Sequence, residues 1–511
     1  MVALFSPLWP SGELLYHVRT SAILLAALVL LLRLLKAIRY RVYYDLFKIP
    51  SPPIPLWRKY TVGHNLFGLM LYNDSLQSAD LFNEWAERHG PLFRIYSAFG
   101  KPALILTSAE SIRLINTTNH RKYSKTQKMR NALGTLVGEN GIILAEGEAH
   151  ARLRRAIAPA LHHDALIAAE KVFLREGQLL ADRLAKSQSS AQMDILRDVR
   201  TATFQVIIDT AFGENAVPPD QHTRLHDAFL EALVEPPSHM FRRAILQDIL
   251  SFLPARYFGW REDLRTYIRN SVSKICRELK KSAKQHGATT PLISLMIDEK
   301  TNRVLPERDL VETVLSFLAA GQATTSISVC WTLYLLARHA DWQNRVLAEL
   351  RDNWSVTDGL DVLDQLPLLS RVVRESLRLY PPIFYMAREL KEDDELEGYR
   401  LPAGTVIRTP LASMHRAKNT WGEDAAEFNP DRFAVPGELS RTKHHWLPFL
   451  YGPRGCVGQR FAILEIKAFV AQVLLRYRLY VKPLQDPPAA CFGPFANPRG
   501  MKIYFELRPS T

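Results

Sequence analysis

Cys456 lies in the stretch Phe449–Gly458, FLYGPRGCVG, where Gly452, Pro453 and Gly455 rule out a regular helix or strand. The residues that follow, 459–477, carry Phe461, Leu464, Ala468, Ala471 and Leu475 at helical spacing. The cysteine is therefore expected where a shaped loop feeds a helix N-terminus. Unpaired backbone N–H groups and the helix dipole favour a thiolate there. Such a sulfur can be a nucleophile, a redox sensor or a metal ligand. Gly455 and Gly458 leave the backbone bare on either side, as a flat, bulky group lying against the chain requires. Phe449 is placed to shield the sulfur, and Arg454 to pair with an anionic group on the same ligand.

Three other stretches carry chemistry. Residues 305–340 open on Pro306, Glu307 and Asp309 and run on almost wholly apolar, which predicts one long buried central helix. Its middle reads AAGQATTS. Small residues (Ala319, Ala320, Gly321) let a flat cofactor come close, and a threonine hydroxyl can bond the carbonyl four residues back and loosen the helix. Helix–helix packing alone explains the alanines but leaves Gly321, Thr324 and Thr325 unaccounted for. Further on, Glu375 and Arg378 stand i, i+3 among Val372, Val373, Leu377 and Leu379, which argues for a buried pair. His150 and Arg154 are i, i+4 on one helical face, either as surface cations or as joint donors to an anion.

In this order, these stretches resemble the cytochrome P-450 superfamily. FLYGPRGCVG fills every specified position of that family's haem-ligand loop, F-x-x-G-x-R-x-C-x-G. AGQATTS is similar to its oxygen-activating motif, A-G-x-[DE]-T-[TS], with Ala323 at the acid position. The resemblance implies haem b (iron protoporphyrin IX) held by Cys456 as axial ligand, within a loop that includes Phe449, Arg454 and Gly458. His150, Arg154 and Arg388 are implied propionate partners, and Glu375, Arg378 and Arg432 of FNPDRF form a structural triad. Thr324 is the implied oxygen-activating residue. Without an acid at Ala323, protons would come from water, Gln322 or a substrate hydroxyl. The implied substrate pocket includes Phe317, Ala320, Ala323, Ile383, Phe384 and Tyr385. Tyr399–Ile407 matches a family hairpin.

The fold implied is mainly α with a smaller β-rich lobe, a long central helix crossing over haem, preceded by one N-terminal transmembrane helix. The 511 residues are 47% hydrophobic and 23% charged, an ordinary globular composition with no repeat and no low-complexity linker. Four scattered cysteines without a C-x-x-C pair argue against a structural zinc site and a disulfide framework. Residues 21–32, SAILLAALVLLL, are unbrokenly apolar and followed by Arg33, Lys36, Arg39 and Arg41. That reads as a single-pass anchor with its C-terminal side in the cytosol. Prolines 50, 52, 53 and 55 then make a stiff connector. The expected division is an anchor and flank over 1–45 and a catalytic domain over 46–511. Helix is expected from Asp80, a hairpin around PLFRIYS and PALILTS, a helix over 146–161, and a helix end at Gly213. An aromatic pocket roof is expected over 236–269, with Phe241, Phe252, Tyr257, Phe258 and Trp260.

The net charge of +13 suits an acidic protein partner or an anionic membrane face, and no basic–aromatic run supports nucleic acid. The chain carries no nucleotide fingerprint, so electrons are expected from NADPH through a separate flavoprotein, NADPH–cytochrome P-450 reductase. Arg152, Arg155, Lys443 and Arg460 are candidates for its docking face. The resulting expectation is a monooxygenase of the endoplasmic reticulum membrane, acting with O2 on a lipophilic small molecule in specialised metabolism, similar to fungal microsomal members. Ala323 keeps open a haem-thiolate isomerase, desaturase or peroxide-rearranging enzyme. A non-enzymatic haem sensor is the reading from another class.

Overall fold

The computed structural model describes residues 44–55, 75–96, 102–187, 195–214, 216–233, 261–286, 305–435, 437, 442–483, 488–491 and 495–509, with isolated positions at 20, 24, 27 and 31. It is mainly helical with a smaller sheet region. The organising element is one uninterrupted helix, Glu307–Arg338, with Pro306 as its N-cap and Glu307 and Asp309 in the first turn. It is long and apolar enough to cross a membrane, yet most of it is buried inside the protein. Helices Ile195–Phe212, His163–Ser187, Pro367–Leu379 and Gln459–Arg476 share its core. Trp331 of the central helix stacks on Tyr380 at 3.8 Å between ring centroids and donates Nε1–H to Ala496 O at 3.1 Å. Such contacts fix the central helix in rotation as well as position.

Gly321 meets a packing demand. A Cβ there would stand 2.5 Å from Cδ1 of Ile207, on helix Ile195–Phe212. Close helix crossing therefore explains this glycine, where cofactor approach was the sequence-based expectation. The neighbouring helix ends as expected at Gly213, whose φ of 98° is open to glycine.

The sheet region borders the cysteine loop. β1 (Leu92–Tyr96) and β2 (Pro102–Leu106) form the expected antiparallel hairpin, and a helix spans Ser75–His89. β3 (Tyr123–Ser124), β4 (Tyr385–Leu390) and β7 (Val406–Pro410) complete a mixed sheet of order β1-β2-β7-β4-β3, with β2 and β7 parallel. Tyr399–Ile407 is not itself a hairpin. β6 (Tyr399–Leu401) pairs with β5 (Asp394–Leu396) around Glu397 and Gly398, both at positive φ, as a tight two-residue turn demands. Val406 onward pairs with β4 instead.

The anchor run expected at 21–32 lies outside the described residues apart from Leu24, Ala27 and Leu31, which are helical, with Leu24 and Leu31 exposed. The aromatic positions of the expected roof also lie outside them; description resumes at Arg261, ahead of helix Glu262–His286.

Candidate functional site

Between Asp309 and Ala337 every residue of the central helix is buried except Phe317, Ala320, Gly321 and Thr324. The spacing i, i+3, i+4, i+7 puts these four on one face. A helix wrapped by neighbours but accessible along one stripe borders internal space there, except where Ile207 fills the Cβ direction of Gly321. Thr324 Oγ1 donates to Ala320 O at 2.8 Å, the back-bond expected from its position. Ser328 Oγ repeats the pattern on Thr324 O at 2.9 Å. Ala323 is buried beside the stripe. Gln322 is two residues, or about 200°, from Thr324 around the helix. Its amide is buried and without a hydrogen-bond partner, so the structure does not bring the two together.

The cysteine loop is held open by its own backbone. Leu450 and Gly452 take positive φ, Gly455 N–H bonds Gly452 O at 3.0 Å, and Cys456 N–H bonds Phe449 O at 2.8 Å. Helix Gln459–Arg476 starts on Gly458, and a Cβ on Gly458 would meet no atom within 4 Å. Cys456 has accessible surface, yet desolvation raises its thiol pKa. A side chain behaves so when it opens into an enclosed hollow instead of bulk water. The Gly458 N–H and the Arg154 charge pull the other way, as expected at a helix start, but burial outweighs them. A thiolate here is complete only with a cation against it, which is the role a metal fills.

Beside this loop lies a cluster of cations. Arg454 pairs with Glu146 and donates to Ala145 O at 2.8 Å. Lys125, absent from the sequence-based candidates, is buried and donates from Nζ to the same carbonyl at 3.1 Å. Burial and the neighbouring Arg454, Arg388 and Arg130 push its pKa down to about 6. Arg388, on β4, is buried; desolvation and then Arg454 lower it to about 10. His150 is held neutral, with its pKa down to about 3, by burial and then by Arg454, Lys125 and Arg154. Lys125, Arg130, Arg154, Arg388 and Arg454 thus share a single acid, Glu146, among the interactions that set these pKa values. A haem with its two propionates fits that deficit of negative charge, and a neutral ligand does not.

The structure separates some candidates. Arg154, at the end of helix Gly147–Ile157, donates to Gly455 O at 2.6 Å and so clasps the cysteine loop. Ile383, in the bend ahead of β4, is exposed, Phe384 is buried in the main core and Tyr385 packs partly buried against the same core.

Glu375, Arg378 and Arg432 are brought together. Glu375 and Arg378 are wholly buried and joined by two hydrogen bonds of 2.7 and 2.8 Å. Arg432 Nε reaches Glu375 Oε1 at 3.2 Å, and its Nη2 reaches Asp424 at 2.9 Å. Arg378 also donates to the carbonyls of His415, Ala425 and Glu427. His415, unmarked by sequence reasoning, accepts Leu447 N–H at Nε2 (2.7 Å), two residues before Phe449.

The family model described as Cytochrome P450 matches residues 52–500. Among curated proteins, the chain is 29% identical over 487 residues to "Cytochrome P450 monooxygenase 128" of Postia placenta, covering 86% of this chain and 87% of that one. It is 28% identical to "Cytokinin hydroxylase" of Arabidopsis thaliana (77% and 76%) and 28% identical to "Secologanin synthase 1" of Catharanthus roseus (72% of each). The open sulfur, the hydroxyl-bearing stripe and the surplus of basic side chains agree with that match over nearly the whole length: the chain belongs to the cytochrome P450 family and is a haem-thiolate monooxygenase.

Proposed function

We propose that Cys456 is the axial ligand of haem b, which fills the hollow between the Phe317–Thr324 stripe and the cysteine loop. The observation that carries this is the surplus of basic side chains around Glu146, beside a cysteine whose sulfur opens inward. Lys125, His150 and Arg388 would hold the propionates. Arg454, already tied to Glu146, and Arg154, on Gly455, set the loop's shape and the local positive potential. When bound, a thiolate-ligated haem supplies an O2-derived oxidant able to attack unactivated C–H bonds.

The chain's own part is positioning and proton handling. Phe317, Ala320 and Thr324 face the substrate side, with Ile383 and Tyr385 at its border. Thr324 Oγ1 offers a hydroxyl to the hollow and can pass a proton at that atom. The substrate is a lipophilic small molecule of specialised metabolism, in line with relatives named as a hydroxylase and a synthase. Residues 1–45 anchor the protein in the endoplasmic reticulum membrane, supported by the apolar run at 21–32 and its cationic flank. Residues 46–511 form the cytosolic catalytic domain.

Electrons arrive from NADPH through a flavoprotein reductase docked on the basic face. Arg155, Lys443 and Arg460 are exposed there, while Arg152 is partly spent on Asp309 at 2.5 Å. Full-length protein with reductase, NADPH and O2 should oxidise at least one member of a panel of lipophilic terpenoids, polyketides and alkaloids. Conversion without NADPH would instead favour the isomerase or peroxide-rearranging reading, which Ala323 keeps in view.

A further inference from the structure

Glu312 lies buried in the first half of the central helix, and donors from three elements meet on its carboxylate. Asn140 N–H donates to Oε2 at 2.7 Å, and Arg269 Nη1 of helix Glu262–His286 reaches Oε1 at 3.3 Å. Arg308 Nε, from its own helix, reaches Oε1 at 3.2 Å. Residues 138–146, the strap that joins helix Gln127–Val137 to helix Gly147–Ile157, lie hard against this turn. A Cβ on Gly138 would run into the Glu312 side chain, and one on Gly141 would stand 2.5 Å from both Glu312 O and Ser316 Oγ. Gly141 does not take a positive φ, so contact with the central helix, and not backbone conformation, excludes a side chain there. The strap's other end is tied to the cysteine loop. Gly141 O accepts Ala145 N–H at 2.8 Å, and Ala145 O accepts from Arg454 at 2.8 Å and Lys125 at 3.1 Å. The Glu146 carboxylate pairs with Arg454 and accepts Lys125 N–H at 2.9 Å. An unbroken run of contacts thus leads from Glu312 to the carbonyl and the acid that face the basic cluster.

We infer that Glu312 is a positioning residue of the haem cleft: by holding Asn140 and Gly141 on the central helix, it sets where Ala145 O and Glu146 stand against Lys125 and Arg454. This rests on the haem-thiolate reading above. The charge presented to the propionates is then fixed from the central helix as well as from the cysteine loop. When Asn140 and Gly141 part from the helix, Glu146 draws back with them, and Lys125 and Arg454 lose part of their counter-charge. Glu312 acts through the strap alone and exchanges neither proton nor electron.

The test uses holoenzyme whose reduced, carbon-monoxide-bound spectrum has first shown thiolate ligation; failure there would sink the haem reading, while the amide measurement still reads the strap. Hydrogen exchange at the Asn140 amide should be about tenfold or more faster in Glu312→Ala and largely restored in Glu312→Gln, which keeps an acceptor oxygen. These two variants lose the same charge, so the difference between them isolates the strap. The haem reduction potential should stand higher in Glu312→Ala than in Glu312→Gln, because uncompensated positive charge favours the reduced metal. Gly141→Ala alters no charge and lifts the strap by its methyl group alone, and its potential should rise above that of the wild type. Should Glu312→Ala fail to hold haem, Gly141→Ala must show both the faster Asn140 exchange and the raised potential. Wild-type exchange at Asn140 in Glu312→Ala would overturn the assignment, as would a potential that the strap variants retaining haem leave unmoved.

Discussion

Arg378 and His415 grip each other twice: Arg378 donates Nη1–H to the His415 carbonyl at 2.5 Å, and His415 Nδ1 lies 3.1 Å from the Arg378 carbonyl. Because His415 Nε2 accepts from Leu447 N–H, the ring proton belongs on Nδ1 and the imidazole is neutral. The triad is thereby coupled to the cysteine loop: Glu375 fixes Arg378, Arg378 fixes His415, and His415 fixes the backbone that leads into Phe449.

Acid should break this coupling first. The pKa of His415 falls from 6.5 to about 3 in the fold, chiefly through burial and then through Arg378. An unfolded chain binds that proton readily and the folded one does not. The stabilisation is therefore whole above pH 6.5 and is lost as pH falls from there towards about 3. The unfolding free energy from urea titrations should drop by roughly a few kcal/mol over that interval, and the midpoint with it. His415→Asn should lower the midpoint at pH 7 and flatten its pH dependence; an unchanged slope would remove His415 from the account.

Glu375→Ala leaves Arg378 buried without its carboxylate, at a cost of about 3–5 kcal/mol. The expected outcome is haem-free or insoluble protein, checked by expression yield and the haem-to-protein ratio. A soluble, haem-loaded variant with only a slower chemical step would contradict the structural assignment.

Lys125→Met separates cofactor retention from folding. In the haem-free protein the buried amine is costly, since its pKa falls from 10.5 to about 6. The depressed value makes haem-free protein gain stability as pH rises from about 6 towards 10.5. At pH 7 the substitution should raise the melting temperature of haem-free protein and speed haem transfer to apomyoglobin. Equal effects of the same sign on both would show that Lys125 serves folding alone.

Gly321→Ala should destabilise by roughly 1–2 kcal/mol, the overpacking against Ile207 exceeding the gain in helix propensity. Adding Ile207→Val, which lacks Cδ1, should restore most of the loss in thermal melting. If the double variant recovers nothing, a contact other than Ile207 dictates the glycine.

What could be read in the sequence follows from how local each signal is. The 307–338 helix, the 92–106 hairpin and the Glu375–Arg378 pair are written in contiguous periodicity and short spacing, and all three are present. Tyr399–Ile407 misled because two adjacent strands can each pair elsewhere, and the true turn at Glu397–Gly398 begins before the segment. Lys125, Glu146 and His415 give no local cue. Their meaning comes from partners such as Arg388, Arg454 and Leu447, far along the chain, and from burial that no spacing announces. Gly321 was legible as special, but whether cofactor or Ile207 demanded it depended on a helix more than a hundred residues away.

The central claim is that Cys456 ligates haem iron through its sulfur. The direct measurement is the absorption spectrum of the reduced, carbon-monoxide-bound protein. Wild-type protein should show the strongly red-shifted Soret band of a thiolate ligand, and Cys456→Ser should lack it even where haem is retained. A Cys456→Ser protein that keeps the red-shifted band would contradict the account.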